Sequence, residues 1–488
     1  SGGNVSGGDT GTQNTEKDAT VKAVQELIDA LPDEVTAENA EAVGAQLAAI
    51  DKTMAALTKE QAAGLNMTRY ENICEALNAL VAVQYEHVGS HGFELPTGKT
   101  WEAINNADEL RNASENGYYY LTAPITLDAE WTPVDGMVLC LNGKTITMEA
   151  DKDVITVGKG YTFTLCDCTG NGKITHGDKT ADEKYSGGGV NISQSSGSFY
   201  MYGGNITGNT AGGTGNSTHG GGVYVLFCNF YMYGGSISGN TADEGGGVCI
   251  GYNAKCTMSG GTIGGTEDDD ANIDTNSSAC GAGVFISPSA EFNMTGGTIS
   301  GNTGSYGGGV YVGGTFTISN NAVITGHNVS GVYVADGGTF NMNGGTVSQN
   351  QKCGVHSYNG NINMTGGNIS GNTGSFGGGV YLGNKAKFTM TGGSITGNNA
   401  TGSQKCAGGM YVAGTMTVSG NVRIMDNWGG GELSGDVYVK GDNGIKSNLH
   451  LSTESNAVPT TITISGPLTG GAGCIGVSKL AGSMPTYG

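Results

Sequence analysis

After about residue 180 the chain repeats one phrase, and that repeat limits what it can fold into. The core of the unit reads F-x-M-x-G-G-x-I-[ST]-G-N-T, followed by a loop and then G-G-G-V-Y-V. One row of aligned positions holds Phe199, Phe230, Cys256, Phe292, Phe316, Phe340, Ile362, Phe388 and Met416. Two residues on, a second row holds Met201, Met232, Met258, Met294, Ile318, Met342, Met364, Met390 and Val418. A third runs from Ile206 through Ile237, Ile263, Ile299, Ile324 and Val347 to Ile424. Alternate residues of each V-Y-V, such as Val223 and Val225 or Val310 and Val312, make a fourth. Neighbouring second-row positions are 22 to 36 residues apart, so the core is constant while the loops vary.

Each unit therefore carries three short strands in which every second residue is apolar, separated by glycine turns. Such strands cannot fold alone and must stack on the next unit. A right-handed parallel β-helix of about ten to twelve coils meets this demand, with like residues stacked at about 4.8 Å. The expected class is mainly β. Leucine-rich repeats require periodic leucine, WD-type blades require about 40–45 residues, and collagen requires glycine at every third position. None fits. Asn209, Asn240, Asn302, Asn350, Asn372 and Asn398 follow the third strand, where stacked amides can bond one another as an asparagine ladder. The G-G-G runs lack the context of a phosphate loop and read as turns.

Composition narrows function. The formal charge is −21 and the only arginines are Arg69, Arg111 and Arg423, which excludes the clustered cations of a nucleic-acid surface. Anionic glycans would be repelled at long range, leaving neutral glycans, proteins and divalent cations as partners. No run of 18 uncharged apolar residues is present, so no membrane span is expected. Neither the opening Ser1-Gly2-Gly3 nor the close at Gly488 is expected to show how the protein is exported or anchored. The 11 cysteines are scattered, and Cys166-x-Cys168 is the one close pair, at a spacing that matches no zinc motif. They read as small buried residues or free thiols.

Four segments follow. Residues 1–18 are rich in Gly, Ser, Thr and Asn and read as a flexible linker. Residues 19–88 show helical spacing (Val21, Val24, Leu27, Ile28; then Val43, Leu47, Ile50, Met54, Leu57) and read as a small helical bundle. Thr58 with Gln61, and Thr68 with Glu71, fit capping boxes, and Pro32 marks a turn. Residues 89–135 read as a connection and cap, in which TWEAINNADELRNA has an amphipathic helical pattern, and 136–488 as the solenoid. His87 and His91 read as spacers.

The phrases VLCLNGKTITM and GGxISGNT…GGGVYV resemble the right-handed, pectate-lyase-like β-helix domains of bacterial surface proteins and adhesins. VKAVQELIDALPDEVTAENAEAV…LTKEQAAGL resembles helical spacer modules of Gram-positive surface proteins. The resemblance implies an extracellular, surface-associated rod for adhesion or for binding a glycan or host protein. The architecture also serves glycosidases and lyases, so it leaves activity open.

Catalysis, if present, is expected on the long loops at 175–186, 209–219 and 266–280. The candidates are His219, Asp243, Glu244, Asp268, Asp269 and Asp270, whose carboxylates, one or two coils apart, would be about 5–10 Å apart, the range of glycosidase pairs. Asp268, Asp270 and Asp274 offer a calcium site instead. Tyr224, Tyr311, Tyr333 and Tyr381 lie at the outward centre of each V-Y-V and form either a sugar-stacking stripe or a ladder that stabilises the sheet. A lyase is disfavoured, because Arg423 is the only arginine in the repeats.

Overall fold

A computed structural model describes residues 11–36, 39–84, 87, 89–176, 188–212, 218–265, 271–274, 281–402, 407–429, 445–446, 449–451 and 461–468. The chain divides into two compact units, Ser1–Val88 and Gly89–Gly488.

The first unit holds helices α1 (Gly11–Asp29), α2 (Ala40–Met54), α3 (Lys59–Ala62) and α4 (Thr68–Gln84). Helix α1 starts inside the segment read as linker. Val24, Ile28, Leu31, Val43, Leu47, Ile50 and Ile73 share one apolar cluster, as the helical spacing requires. Arg69 ties α4 to the turn after α1 by donating to the Leu31 carbonyl and, at 2.7 Å, to Asp33. The Thr58 box forms, with both side chains bonding the reciprocal backbone amides. The Thr68 box does not. Thr68 is already the first helical residue, and the Glu71 amide donates to the Met67 carbonyl.

The second unit is mainly β, a long stack of parallel strands in which every coil bonds its neighbours. Val310–Val312, Thr315–Ile318 and Val323–Thr325 make the three strands of one coil. They pair in register with Val332–Val334, Thr339–Met342 and Thr346–Ser348 of the next. Phe316 thus lies beside Phe340 and Ile318 beside Met342. The V-Y-V strands make an 11-stranded sheet, and the other two positions run through a 24-stranded one. Among the described strands one pairing is antiparallel, Trp428–Gly429 with Ile445–Lys446. The Phe, Met and Ile rows face inward and are at most 3 % exposed. Phe163, Phe199 and Phe230 continue the stack with ring centroids 5.8 and 5.2 Å apart.

Glycine is required where coil meets coil. Gly297 has φ +80, and a Cβ there would lie 2.6 Å from Met258 Cε and 2.9 Å from the Gly261 carbonyl. Strands also begin earlier than expected. Trp101–Ile104, read as helix, is a strand paired with Tyr118–Leu121, and only Ala107–Arg111 is helical. Beside a parallel partner, Trp101 and Ile104 find a sheet to pack on, and this outweighs the helical pattern.

The turn after the third strand is held by the amide ladder, which is longer than the sequence pattern indicates. Asn272 and Asn427 belong to it, and His327 takes one asparagine's place. Asn209, Asn240, Asn272 and Asn398 are each satisfied in the manner of Asn372. Its backbone N–H and Nδ2 both donate to Asn398 Oδ1, at 3.0 and 2.9 Å, and Nδ2 also reaches the Val347 carbonyl. A buried turn of this kind survives only because its polar groups are bonded. His327 keeps the pattern as a neutral ring. The Asn302 N–H donates to Nδ1 at 3.0 Å and Nε2 faces the Ile299 carbonyl at 3.2 Å, so the partners assign the Nε2–H tautomer. Burial lowers its pKa to about 4.

Two predictions follow from this packing. Met342→Asp is expected to destabilise the solenoid by roughly 3–5 kcal/mol, read by guanidinium denaturation, because it buries an unpaired carboxylate. The depressed His327 pKa means that the unfolded chain binds a proton the folded chain refuses between about pH 6.5 and 4. Stability present above that window is lost as pH falls through it, by about 3 kcal/mol in total. His327→Asn should restore a ladder amide and remove this component. An unchanged difference between parent and variant from pH 7 to pH 4 would refute the assignment.

Candidate functional site

Three outward surfaces of the solenoid carry chemistry. The first is where His219, Asp243 and Glu244 meet. Residues 218–220 pair with 243–245 across neighbouring coils, through Glu244 N–H to the Thr218 carbonyl and Gly220 N–H to the Glu244 carbonyl. His219 Nδ1 lies 3.0 Å from Glu244 Oε2, off the line of a hydrogen bond, so the attraction is Coulombic and needs a protonated ring. Asp243 is turned the other way. Its carboxylate accepts from Thr218 N–H at 3.0 Å, and its own N–H donates to Thr218 Oγ1 at 3.2 Å. The two acids therefore do not present a facing pair.

Behind them lies Cys249, whose thiol is within 4.8 Å of His219 and Glu244 donor atoms. It was not legible in advance because the V-C-I strand replaces the usual tyrosine with cysteine. Burial and then Glu244 raise its pKa well above the ordinary thiol value, which favours the neutral thiol. Tyr224 stacks on His219 at 5.5 Å, and burial, with Cys249 and Glu244 near, pushes its phenol up to about 12. Asp268, Asp269 and Asp270 lie outside the described residues, as does the side chain of Asp274, and so do the calcium and paired-carboxylate arrangements built on them. Asp153, not singled out from the sequence, is a buried carboxyl raised to about 7 by burial, with Asn191 Nδ2 donating at 2.6 Å.

The second surface is the V-Y-V face. Tyr311 and Tyr333 stack at 5.4 Å, Tyr333 and His356 lie at 5.2 Å, His356 and Tyr381 at 4.6 Å, and Tyr381 and Tyr411 at 5.0 Å. Phe285 extends the row, whereas Cys249 separates it from Tyr224. The expected tyrosines Tyr224, Tyr311, Tyr333 and Tyr381 are all half-buried. Three solvent-facing aromatics, Tyr306, Tyr358 and Phe376, at 43, 47 and 47 % exposure, are set edge-on or tilted against that row. A signal existed for two of them, since Tyr306 and Phe376 each immediately precede a G-G-G run. Cys353 is buried against Ser330, while Cys280 and Cys406 fall outside the described residues.

The third surface is an open groove of about 570 Å³ along the outward side of the third strands. Asn205, Thr207, Ser236, Thr262, Thr298 and Ser300 line it, with Lys173 at one end and Gly264 and Gly265 at a point along its rim. It crosses five successive strands, hence about 19 Å at the parallel spacing. Among the described lining residues none is acidic. Tyr202 and Tyr233 stack at 4.7 Å, three residues before Asn205 and Ser236, and Tyr233 is 41 % exposed.

No family model matches the chain, and neither does any curated protein or solved structure.

The Asp243 geometry makes a prediction of its own. Asp243→Ala should cost about 1–2 kcal/mol, by releasing the Thr218 amide, and leave any binding in the groove intact. Loss of binding with unchanged thermal stability would instead give Asp243 a direct functional role.

Proposed function

We propose that the protein is an extracellular, surface-associated bacterial protein whose solenoid, a right-handed parallel β-helix of about ten to twelve coils, is a rigid rod that binds a neutral glycan. The helical segment before it would serve as a spacer, as its resemblance to Gram-positive spacer modules implies. The groove carries this reading. Hydroxyl and amide groups at its floor supply paired donors and acceptors that match sugar hydroxyls, and its volume falls within the range of small-ligand sites. The repeat sets these groups at one spacing, which suits an extended repeating ligand better than a compact one. The net charge of −21 disfavours an anionic polymer. The tyrosines before the groove strands offer an edge for ring stacking.

A second reading, glycoside hydrolysis, is favoured by one observation. Gly264 and Gly265 on the groove rim lead directly in sequence into Glu267, Asp268, Asp269 and Asp270. Hydrolysis needs two carboxylates flanking the scissile bond.

A glycan array combined with a reducing-sugar assay separates the two. Thr207, Thr262 and Thr298 stand at outward strand positions where valine is readily accepted, so the triple Thr→Val variant removes hydroxyls at little structural cost. The rod reading predicts retention of a neutral glycan by the parent chain, roughly tenfold weaker binding in the triple variant, equal melting temperatures and no new reducing ends. Failure to retain any neutral glycan, or equal retention by the variant, would overturn it. Sugar release that disappears in Asp268→Asn would establish the hydrolase instead.

A further inference from the structure

The outer face of the first coils carries a cluster of thiols that the groove does not use. Strands Met137–Cys140 and Thr162–Cys166 pair in register, setting Cys140 beside Cys166, while Leu139 and Leu165 turn inward to the core. Cys168 follows two residues later on the same outward side. The Cys140 thiol is within hydrogen-bonding reach of both Cys166 and Cys168. All three are thiols rather than half-cystines. Over them runs the segment that begins at Gly89, so closely that a Cβ on Gly89 would lie 2.4 Å from Cys168 Cβ. That close approach delivers His91, which is only 8 % exposed and whose ring lies 4.6 Å from the Trp101 ring. A residue that reads as a spacer is thus held over the cysteines.

We propose that His91, Cys140 and Cys168 form a zinc site, with Cys166 the adjoining thiol. Their donor atoms lie within 4.8 Å of one another. Tetrahedral zinc, with bonds of about 2.3 Å to sulfur and 2.0–2.1 Å to nitrogen, asks for separations of about 3.5–3.8 Å, so the donors need close by no more than about 1 Å. The donors are sulfur and nitrogen, the set that zinc prefers over magnesium or calcium. The nearest carboxylate in sequence, Asp167, is turned away and accepts from the Gly143 and Gly172 amides at 2.7 Å each. Asn142 Oδ1 lies 3.5 Å from Cys168 Sγ, where it can orient that thiol. The apolar surround of Phe93, Trp101, Tyr118 and Tyr202 limits water. The site differs from His219–Glu244–Cys249, which offers one sulfur at 1 % exposure.

The test is metal titration of the full chain, reduced and freed of metal, first with Zn²⁺ against a chromophoric chelator and then with Co²⁺ as a spectroscopic probe. The expected result is one metal per chain, with thiolate-to-cobalt charge transfer and the visible bands of a tetrahedral ion. His91→Gln and Cys168→Ser should each weaken zinc at least tenfold, whereas Cys228→Ser, at a buried thiol elsewhere, should not. Circular dichroism of each variant establishes that it is folded. Absence of uptake, an octahedral cobalt spectrum, or uptake indifferent to both ligand variants would overturn the proposal. So would a Cys140–Cys168 disulfide forming in place of metal binding.

Discussion

Backbone hydrogen bonds between one coil and the next hold every other feature in place. Strands of three or four residues have too few contacts to stand alone, so each borrows its stability from the strands above and below. Parallel pairing in register then forces like residues to stack, and side chains on the inward side must suit neighbours of the same kind. This is why the inner rows are monotonous and why Phe, Met and Ile recur at fixed offsets. The corners are harder. A buried turn strands backbone amides, and the asparagine column meets that demand by bonding each rung's amide and side chain to the next. His327 can substitute because an imidazole also combines one acceptor with one donor.

The same constraint explains what was legible from sequence. Inward rows repeat, so Met342 and Phe292 could be placed by alignment alone, and both are buried. Positions that depart from the repeat were harder. Asn272 follows the acidic run 267–270 instead of a G-N-T phrase, and His327 is not an amide, yet both occupy ladder positions. Trp101–Ile104 carries a helical pattern, but the neighbouring strand decided its state. Asp243 and Glu244 are neighbours in sequence, yet Asp243 accepts from the Thr218 amide while Glu244 faces His219. Adjacent residues of an extended segment point to opposite sides, so two neighbouring acids need not face one substrate.

Outward positions are released from packing in the core, and the molecule's variation concentrates there. The groove and the aromatic row show two ways of using that freedom. In the groove, small polar residues repeat on consecutive coils and leave an open channel. On the V-Y-V face, aromatic rings stack from coil to coil, while Tyr306, Tyr358 and Phe376 beside them are exposed. For the proposed glycan-binding rod both would help, since binding to a preorganised surface spares the ordering cost that a loop would incur.

The early coils use their outward face differently, and the contrast lies in the company each cysteine keeps. Cys228 and Cys256 belong to the main apolar core, where a thiol behaves as a small hydrophobe. Cys256 fills a phenylalanine position between Phe230 and Phe292. Cys140, Cys166 and Cys168 instead gather on one face under a histidine. Packing alone does not call for that grouping, since valine or alanine would fill outward positions without bringing polarisable sulfur atoms together. A shared metal gives the grouping a physical reason. It would fasten the segment from Gly89 to Phe93 onto the two strands beneath it, adding to the packing of Phe93 on Tyr202 and of His91 on Trp101.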